Sequence, residues 1–268
     1  MHVHFLDPYH PHDSLIHRFD PRIKLVLTLA FILTNGLIPS GAWPVFILLF
    51  ALILSVEILS ELGVGYVLKR SMLAFPFVLA ALPLILTIPG RTMFSLDIGP
   101  WTINVSYPGL ERFISIALKS WISMQAGIVL AASTSFPDLL VAMRAVRIPQ
   151  LLVSIFGLMW RYLFVLVDEA TRLIRARAAR SGHSDHPNAK TGGSLSWRAR
   201  VAGGMAGNLF LRGFERSDRI YMAMVSRGYD GESRSLPFPA IQIANWAILI
   251  GGLVILTLLI LIAYLFWG

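Results

Sequence analysis

No cysteine occurs among the 268 residues, so disulfides, thiolate nucleophiles and Cys-based zinc sites are all excluded. Charge is scarce. Asp, Glu, Lys and Arg make up 14% of the chain, against about 25% in an ordinary soluble domain. Hydrophobic residues make up 56%, and the mean hydropathy is +0.67, which points to an integral membrane protein. The phosphate-cradling pattern G-x-x-x-x-G-K-[ST] is missing, because neither Lys119-Ser120 nor Lys190-Thr191 has the preceding glycines. H-E-x-x-H and G-x-S-x-G are missing too, so no catalytic constellation assembles. The first twenty residues carry no apolar core, and no cleavable signal peptide is expected.

Apolar runs are what the chain does have. Asp20-Pro21 can cap a helix over Ile23 to Ile38, with Pro21 at the tolerated first turn. Pro39-Ser40-Gly41 then turns the chain into a second run, Trp43 to Leu59. A third, Met72 to Ile88, carries Pro76 and Pro83 and reads as one kinked helix. A fourth covers Phe113 to Ser133, and the last, Ile241 to Trp267, has no charge at all. Between the third and fourth the pattern changes to period two. Phe94, Leu96 and Ile98 alternate with Ser95 and Asp97, and Trp101, Ile103, Val105 and Tyr107 alternate with Thr102, Asn104 and Ser106. That predicts a small hairpin near 92–108. Charges inside the runs are few: Glu57, Glu61 and Lys119 fall near predicted ends and can snorkel to the interface. The chain therefore lacks the polar lining of a channel.

The basic excess sits in one block. Fifteen of the 23 Lys and Arg lie between Met143 and Arg234. Arg18, Arg22 and Lys24 precede the first run, and Lys69 and Arg70 follow the second. The alternate loops hold only Arg91 and Arg112. By the positive-inside rule, five spans put the N-terminus and the block in the cytoplasm, with the hairpin and C-terminus outside. The expected organisation is 1–134 as N-terminal membrane helices with the hairpin, 135–240 as a cytoplasmic region, and 241–268 as a final membrane helix.

Within the block, residues 138–147 read as a short amphipathic helix stopped by Pro149. Leu151 to Arg180 reads as a long helix under the membrane, apolar at its start and basic at its end; a sixth span over 151–167 is the competing reading. Trp197 to Arg227 is a second long helix or a helix pair, and Gly203, Gly204 and Gly207 would allow the two to cross closely. Both endings look alike: Ala179-Arg180-Ser181, then Gly182, and Ser226-Arg227-Gly228. Glycine just past a helix end is a stop signal, because it takes the left-handed turn cheaply. One arginine at such an end does no more than complement the helix dipole, for about 0.3–1 kcal/mol. Two matching endings suggest two sockets, since a guanidinium with five donors suits an acidic groove on a partner.

The histidines His2, His4, His10, His12 and His17 are a metal candidate by type, with a solvated arm as the plainer reading. A membrane-embedded enzyme acting on lipids would have to use Arg161, Asp168 and Glu169, which do not suffice. Nucleic-acid binding would need aromatics among the arginines, and Arg172 to Arg180 contains none.

Several stretches carry a family resemblance. DSLIHRFDPRIKL (Asp13 to Leu25), SFPDLLVAMRAVRIPQLL (Ser135 to Leu152), WRYLFVLVDEATRLIRARAARSG (Trp160 to Gly182) and ERSDRIYMAMVSRGYDG (Glu215 to Gly231) are similar to signatures of the transmembrane T component of energy-coupling factor (ECF) transporters, CbiQ type. The resemblance implies an all-α membrane scaffold with long cytoplasmic coupling helices, in a multi-pass protein of the bacterial inner membrane. It implies two Ala-Arg-Gly-like motifs, matched by Arg180 and Arg227, that dock on two ATP-binding-cassette ATPases. Here the first motif reads Ala-Arg-Ser. It also implies a separate substrate-binding (S) subunit, ATP held by the partners and no cofactor of its own, and cobalt or nickel as cargo. A vitamin-type system of the same architecture is the alternative.

Overall fold

The computed structural model describes residues 8–98, 101–180, 194–230 and 241–267. It divides into two compact units. The first holds the described residues from 8 to 147 together with the C-terminal helix; the second holds those from 148 to 230.

In the first unit a single turn, α1 (Leu15–Arg18), leads into α2 (Pro21–Leu37). The Asp20 side chain accepts from Arg22 N at 2.9 Å, and Pro21 supplies a fixed φ where no N–H is needed. Gly41, at φ +87°, turns the chain into α3 (Trp43–Leu59). A Cβ there would fall 2.0 Å from Glu111 Oε1, the free end of a flexible side chain, so it is the left-handed backbone that requires glycine. Next come α4 (Val64–Ser71), a 3₁₀ turn (Met72–Ala74), α5 (Phe75–Ala80) and α6 (Leu84–Thr87). The single kinked helix expected over 72–88 is therefore broken into pieces. Pro76 sits in the first turn of α5 and Pro83 caps α6, so each proline begins a new helix instead of bending an old one.

Strands β1 (Thr92–Ile98) and β2 (Trp101–Ser106) pair antiparallel, with Ile98 opposite Trp101 and Leu96 opposite Ile103. Ser106 then caps α7 (Tyr107–Ser133) by accepting from Gly109 N at 3.1 Å, which starts this helix six residues before the expected Phe113. The short α8 (Phe136–Ala145) packs on α2, and the last helix of the unit runs Ile243–Trp267. The core joins Phe31, Phe46, Leu49, Ile122 and Leu256, from all four main helices.

Two expectations are corrected here. Glu57 does not snorkel: it is fully buried, and neither of its oxygens has a partner. Gln125 is buried in the same way. Lys119 does reach helix-end carbonyls, donating to Gly36 O and Ile38 O, where α2 runs out of intrahelical donors. Asn35 Nδ2 donates to Lys119 O and Ser123 Oγ, both at 2.8 Å, tying α2 to α7. The N-terminal arm is not simply solvated over its described part. His10 N donates to Ala132 O at 3.0 Å, and His17 bonds Ser14 Oγ and His10 O. A carbonyl can only accept, so His17 carries its proton on Nε2. Burial is the main cause holding this imidazole below its usual 6.5, with the Lys24 and His12 charges adding to it and the His10 carbonyl opposing.

The second unit is two long helices, α9 (Gln150–Arg180) and α10 (Leu195–Val225). Trp197 to Arg227 is thus one helix, entered through Ser194, whose Oγ accepts from Trp197 N at 3.3 Å. With α9 and α10 so numbered, the C-terminal helix is α11. Among the described residues three helices are long and apolar enough to cross a membrane: α7, α9 and α11. Helix α9 meets that test although its sequence reads as lying under the bilayer. Helices α2 and α3 have 17 residues each, and α3 is apolar by the same measure.

Candidate functional site

The two arginine endings sit on α9 and α10. Ala179 and Arg180 close α9 and are exposed; Ser181 and Gly182 lie outside the described residues. The last turns of α9 carry Arg172, Arg175, Arg177 and Arg180, positive charge set where the helix dipole is negative.

The second ending is fully described. Ser226 N donates to Met222 O at 3.0 Å and Arg227 N to Met224 O at 3.0 Å. Gly228 stands at φ +83°, its N–H reaching Val225 O at 2.9 Å, while Tyr229 N reaches back to Met224 O at 3.0 Å. This pair of reversed bonds satisfies the last carbonyls and stops the helix. Ser226, Arg227 and Gly228 are all exposed at the end of the helix.

The helices run antiparallel and are clamped near their middles. Arg212 Nη1 donates to Glu169 Oε1 at 2.6 Å, and Leu166 Cδ2 lies 3.7 Å from where a Cβ on Gly213 would stand. Val165, Leu209 and Arg216 complete this contact. Beyond it the C-terminal half of α9 and the N-terminal half of α10 enclose a cleft of about 1180 Å³ lined by Leu173, Ile174, Val201, Met205, Arg177 and Arg180. At its far end the Arg177 guanidinium lies 6.0 Å from the Trp197 ring. Eleven residues separate Glu169 from Arg180 and fifteen separate Arg212 from Arg227. At 1.5 Å per residue, in opposite directions, the tips stand up to about 40 Å apart.

The close crossing is therefore at Gly213 and not at Gly203, Gly204 or Gly207. No atom lies within 4 Å of a Cβ placed at any of those three. Small residues permit close approach but do not compel it. At 100° per residue the three share a face with Phe210, Leu211, Phe214, Tyr221 and Met222, roughly opposite the face that meets α9. That stripe is bare: Phe210 is 71% exposed, Phe214 61% and Met222 69%.

The clamp escaped sequence reasoning because its members are 43 residues apart. The competing enzyme reading named Glu169, and the structure commits that carboxylate to Arg212. Arg161 lies over the Tyr162 ring next to it, at 5.9 Å. Among the described residues no group of three or more His, Asp or Glu is placed to hold a metal ion; His2 and His4 lie outside them.

A family profile described as cobalt transport protein, CbiQ, matches residues 12–237. The chain is 25% identical over 270 residues to the energy-coupling factor transporter transmembrane protein EcfT of Ruminiclostridium cellulolyticum, covering 97% of each. It is 29% identical over 238 residues to the EcfT of Thermosediminibacter oceani, covering 85% of each. It is 28% identical over 186 residues to the cobalt transport protein CbiQ of Rhodobacter capsulatus, covering 69% of this chain and 71% of that one.

Proposed function

This chain belongs to the CbiQ cobalt transport protein family, and from that membership we propose that it is the energy-coupling scaffold of an ECF-type importer for cobalt or nickel. It is a transport subunit of the membrane and not an enzyme. Two cytoplasmic ATPases dock on the tips around Arg180 and Arg227 and bind the ATP. A separate S subunit carries the cargo and meets the bare stripe of α10. The N-terminus faces the cytoplasm of a bacterial cell, and α2, α3, the α4–α6 segment, α7 and α11 cross the inner membrane, with the β1–β2 hairpin outside.

The observation that carries this reading is the pair of exposed arginine tips on two antiparallel helices clamped by Arg212 and Glu169. An antiparallel pair presents like C-terminal ends at opposite extremes, which suits two copies of one partner. Each tip offers a fixed positive charge and a fork of donors to an acidic groove. Losing one member of a desolvated charge pair costs about 2–5 kcal/mol.

The test is co-purification with its partner ATPases. Arg180→Glu and Arg227→Glu should each reduce ATPase recovery by tenfold or more while membrane insertion stays normal. Undiminished recovery of ATPase with both variants rules the sockets out.

A vitamin-type system is the second reading. It rests on the EcfT relatives, which cover up to 97% of this chain and whose names specify no metal. The S subunit that co-purifies decides between them.

A further inference from the structure

The unit formed by α2, α3, α7 and α11 holds a cavity of about 330 Å³. Leu27, Phe31, Ile53, Val56, Val129 and Ile255 supply apolar walls from all four helices. Only three polar side chains reach it: Lys24, Thr28 and Ser133. Two of them fix its place. Lys24 is in the first turn of α2 and Ser133 is the last residue of α7, so the cavity opens at that end of the bundle. Arg18 and Arg22 precede Lys24 there, and the charge pattern makes this the cytoplasmic face.

Lys24 is the unusual group. Its Nζ donates to His17 O and to Ser133 O, both at 3.1 Å. An ammonium has three donors, so one remains. Among the described residues no carboxylate lies within ion-pair distance of it. Asp20 and Asp138 act on it only from farther away, and both are engaged elsewhere, with Arg22 N and Ser135 Oγ. A cation at the membrane edge with a spare donor and no carboxylate in ion-pair contact has room for a further anion.

The walls call for hydrocarbon. An empty apolar space of this size forfeits the dispersion contacts of its lining. A protein helix is about 10–12 Å across and does not fit. A soluble anion leaves the walls bare, and an uncharged lipid leaves Lys24 unpaired. We propose that the cavity binds one acyl chain of an anionic phospholipid from the cytoplasmic leaflet, whose phosphate accepts the remaining Lys24 N–H. That leaflet is the anionic one. The bound chain fills the space between α11 and the α2–α3 pair, elements otherwise joined at contacts such as Tyr264 Oη to Leu37 O.

The test uses the full-length chain, delipidated in detergent and titrated with phosphatidylglycerol or phosphatidylcholine of identical acyl chains, read by native mass spectrometry. One phosphatidylglycerol should bind with about fivefold preference, the size expected for one lysine at an anionic lipid surface. Lys24→Gln should abolish that preference and Lys24→Arg should keep it. Thr28→Phe, which puts a ring into the cavity, should remove the bound lipid of either kind. Circular dichroism checks that each variant is folded, and the comparison of the two lipids on the unmodified chain needs no variant at all. Equal binding of both lipids, a preference that survives Lys24→Gln, or an unchanged lipid count in Thr28→Phe overturns the proposal. So does an unmodified chain that binds no lipid until its protein partners are removed, because the cavity then belongs to them.

Discussion

Replacing Gly203, Gly204 and Gly207 by alanine separates the role of these residues in folding from their role in assembly, because the two effects have opposite signs. All three are interior to α10, and a Cβ at each meets open space. Alanine therefore fits without displacing anything. Glycine costs a helix interior roughly 0.5–1 kcal/mol relative to alanine, so three replacements should stabilise α10 by about 1.5–3 kcal/mol. Local opening of the helix should become about ten- to hundredfold rarer. Hydrogen exchange of α10 peptides in the isolated chain reads this directly, as slower exchange between Leu195 and Arg212. If the glycine face receives a partner helix at close range, the same triple variant should assemble less well, since each methyl pushes the partner outward. Slower exchange with weaker recovery of the S subunit is the expected pairing. Unchanged or faster exchange refutes the reasoning that this face is open. Full assembly of the triple variant refutes the claim that partners approach it closely.

Three further outcomes follow from the geometry. Lys119→Met leaves the Gly36 and Ile38 carbonyls without their donor and should cost about 1–3 kcal/mol, seen as a lower melting temperature in detergent, with Lys119→Arg milder. Gly228→Ala forces a side chain onto φ +83° and should cost about 1 kcal/mol, fraying the tip and weakening ATPase recovery although Arg227 is intact. The His17 imidazole is held below 6.5, so the unfolded arm takes up a proton first; stability is complete above about 6.5 and is lost as pH falls toward the folded value. Limited proteolysis of the arm should accelerate between pH 7.5 and 5.5, and His17→Gln should flatten that dependence.

Local signals were legible where the chain itself satisfies them. Asp20-Pro21 capped α2, and Gly228 stopped α10 with the left-handed turn its position required. The Ser106 cap of α7 was there to read, with Gly109 three residues on, but the alternating pattern through Tyr107 hid it. Pro76 and Pro83 announced a disturbance without saying whether the helix would bend or restart, since neighbouring elements decide that. Contacts between distant segments were not legible. Asn35 meets Ser123 across 88 residues and Arg212 meets Glu169 across 43, and no periodicity encodes either. Glu57 looked like a span-end residue in the sequence; only the packing of its helix against the rest of the unit buries it.

The Arg212–Glu169 contact has a mechanical corollary. Two stiff rods touching near their middles behave as a scissor, and the contact is its fulcrum. The arm to Arg180 is about 17 Å and the arm to Arg227 about 23 Å. A tilt of about 10° swings the two ends by about 3 and 4 Å. The opposite arm of α10, with its glycine-rich stretch, is about 26 Å long by the same measure and sweeps a similar arc.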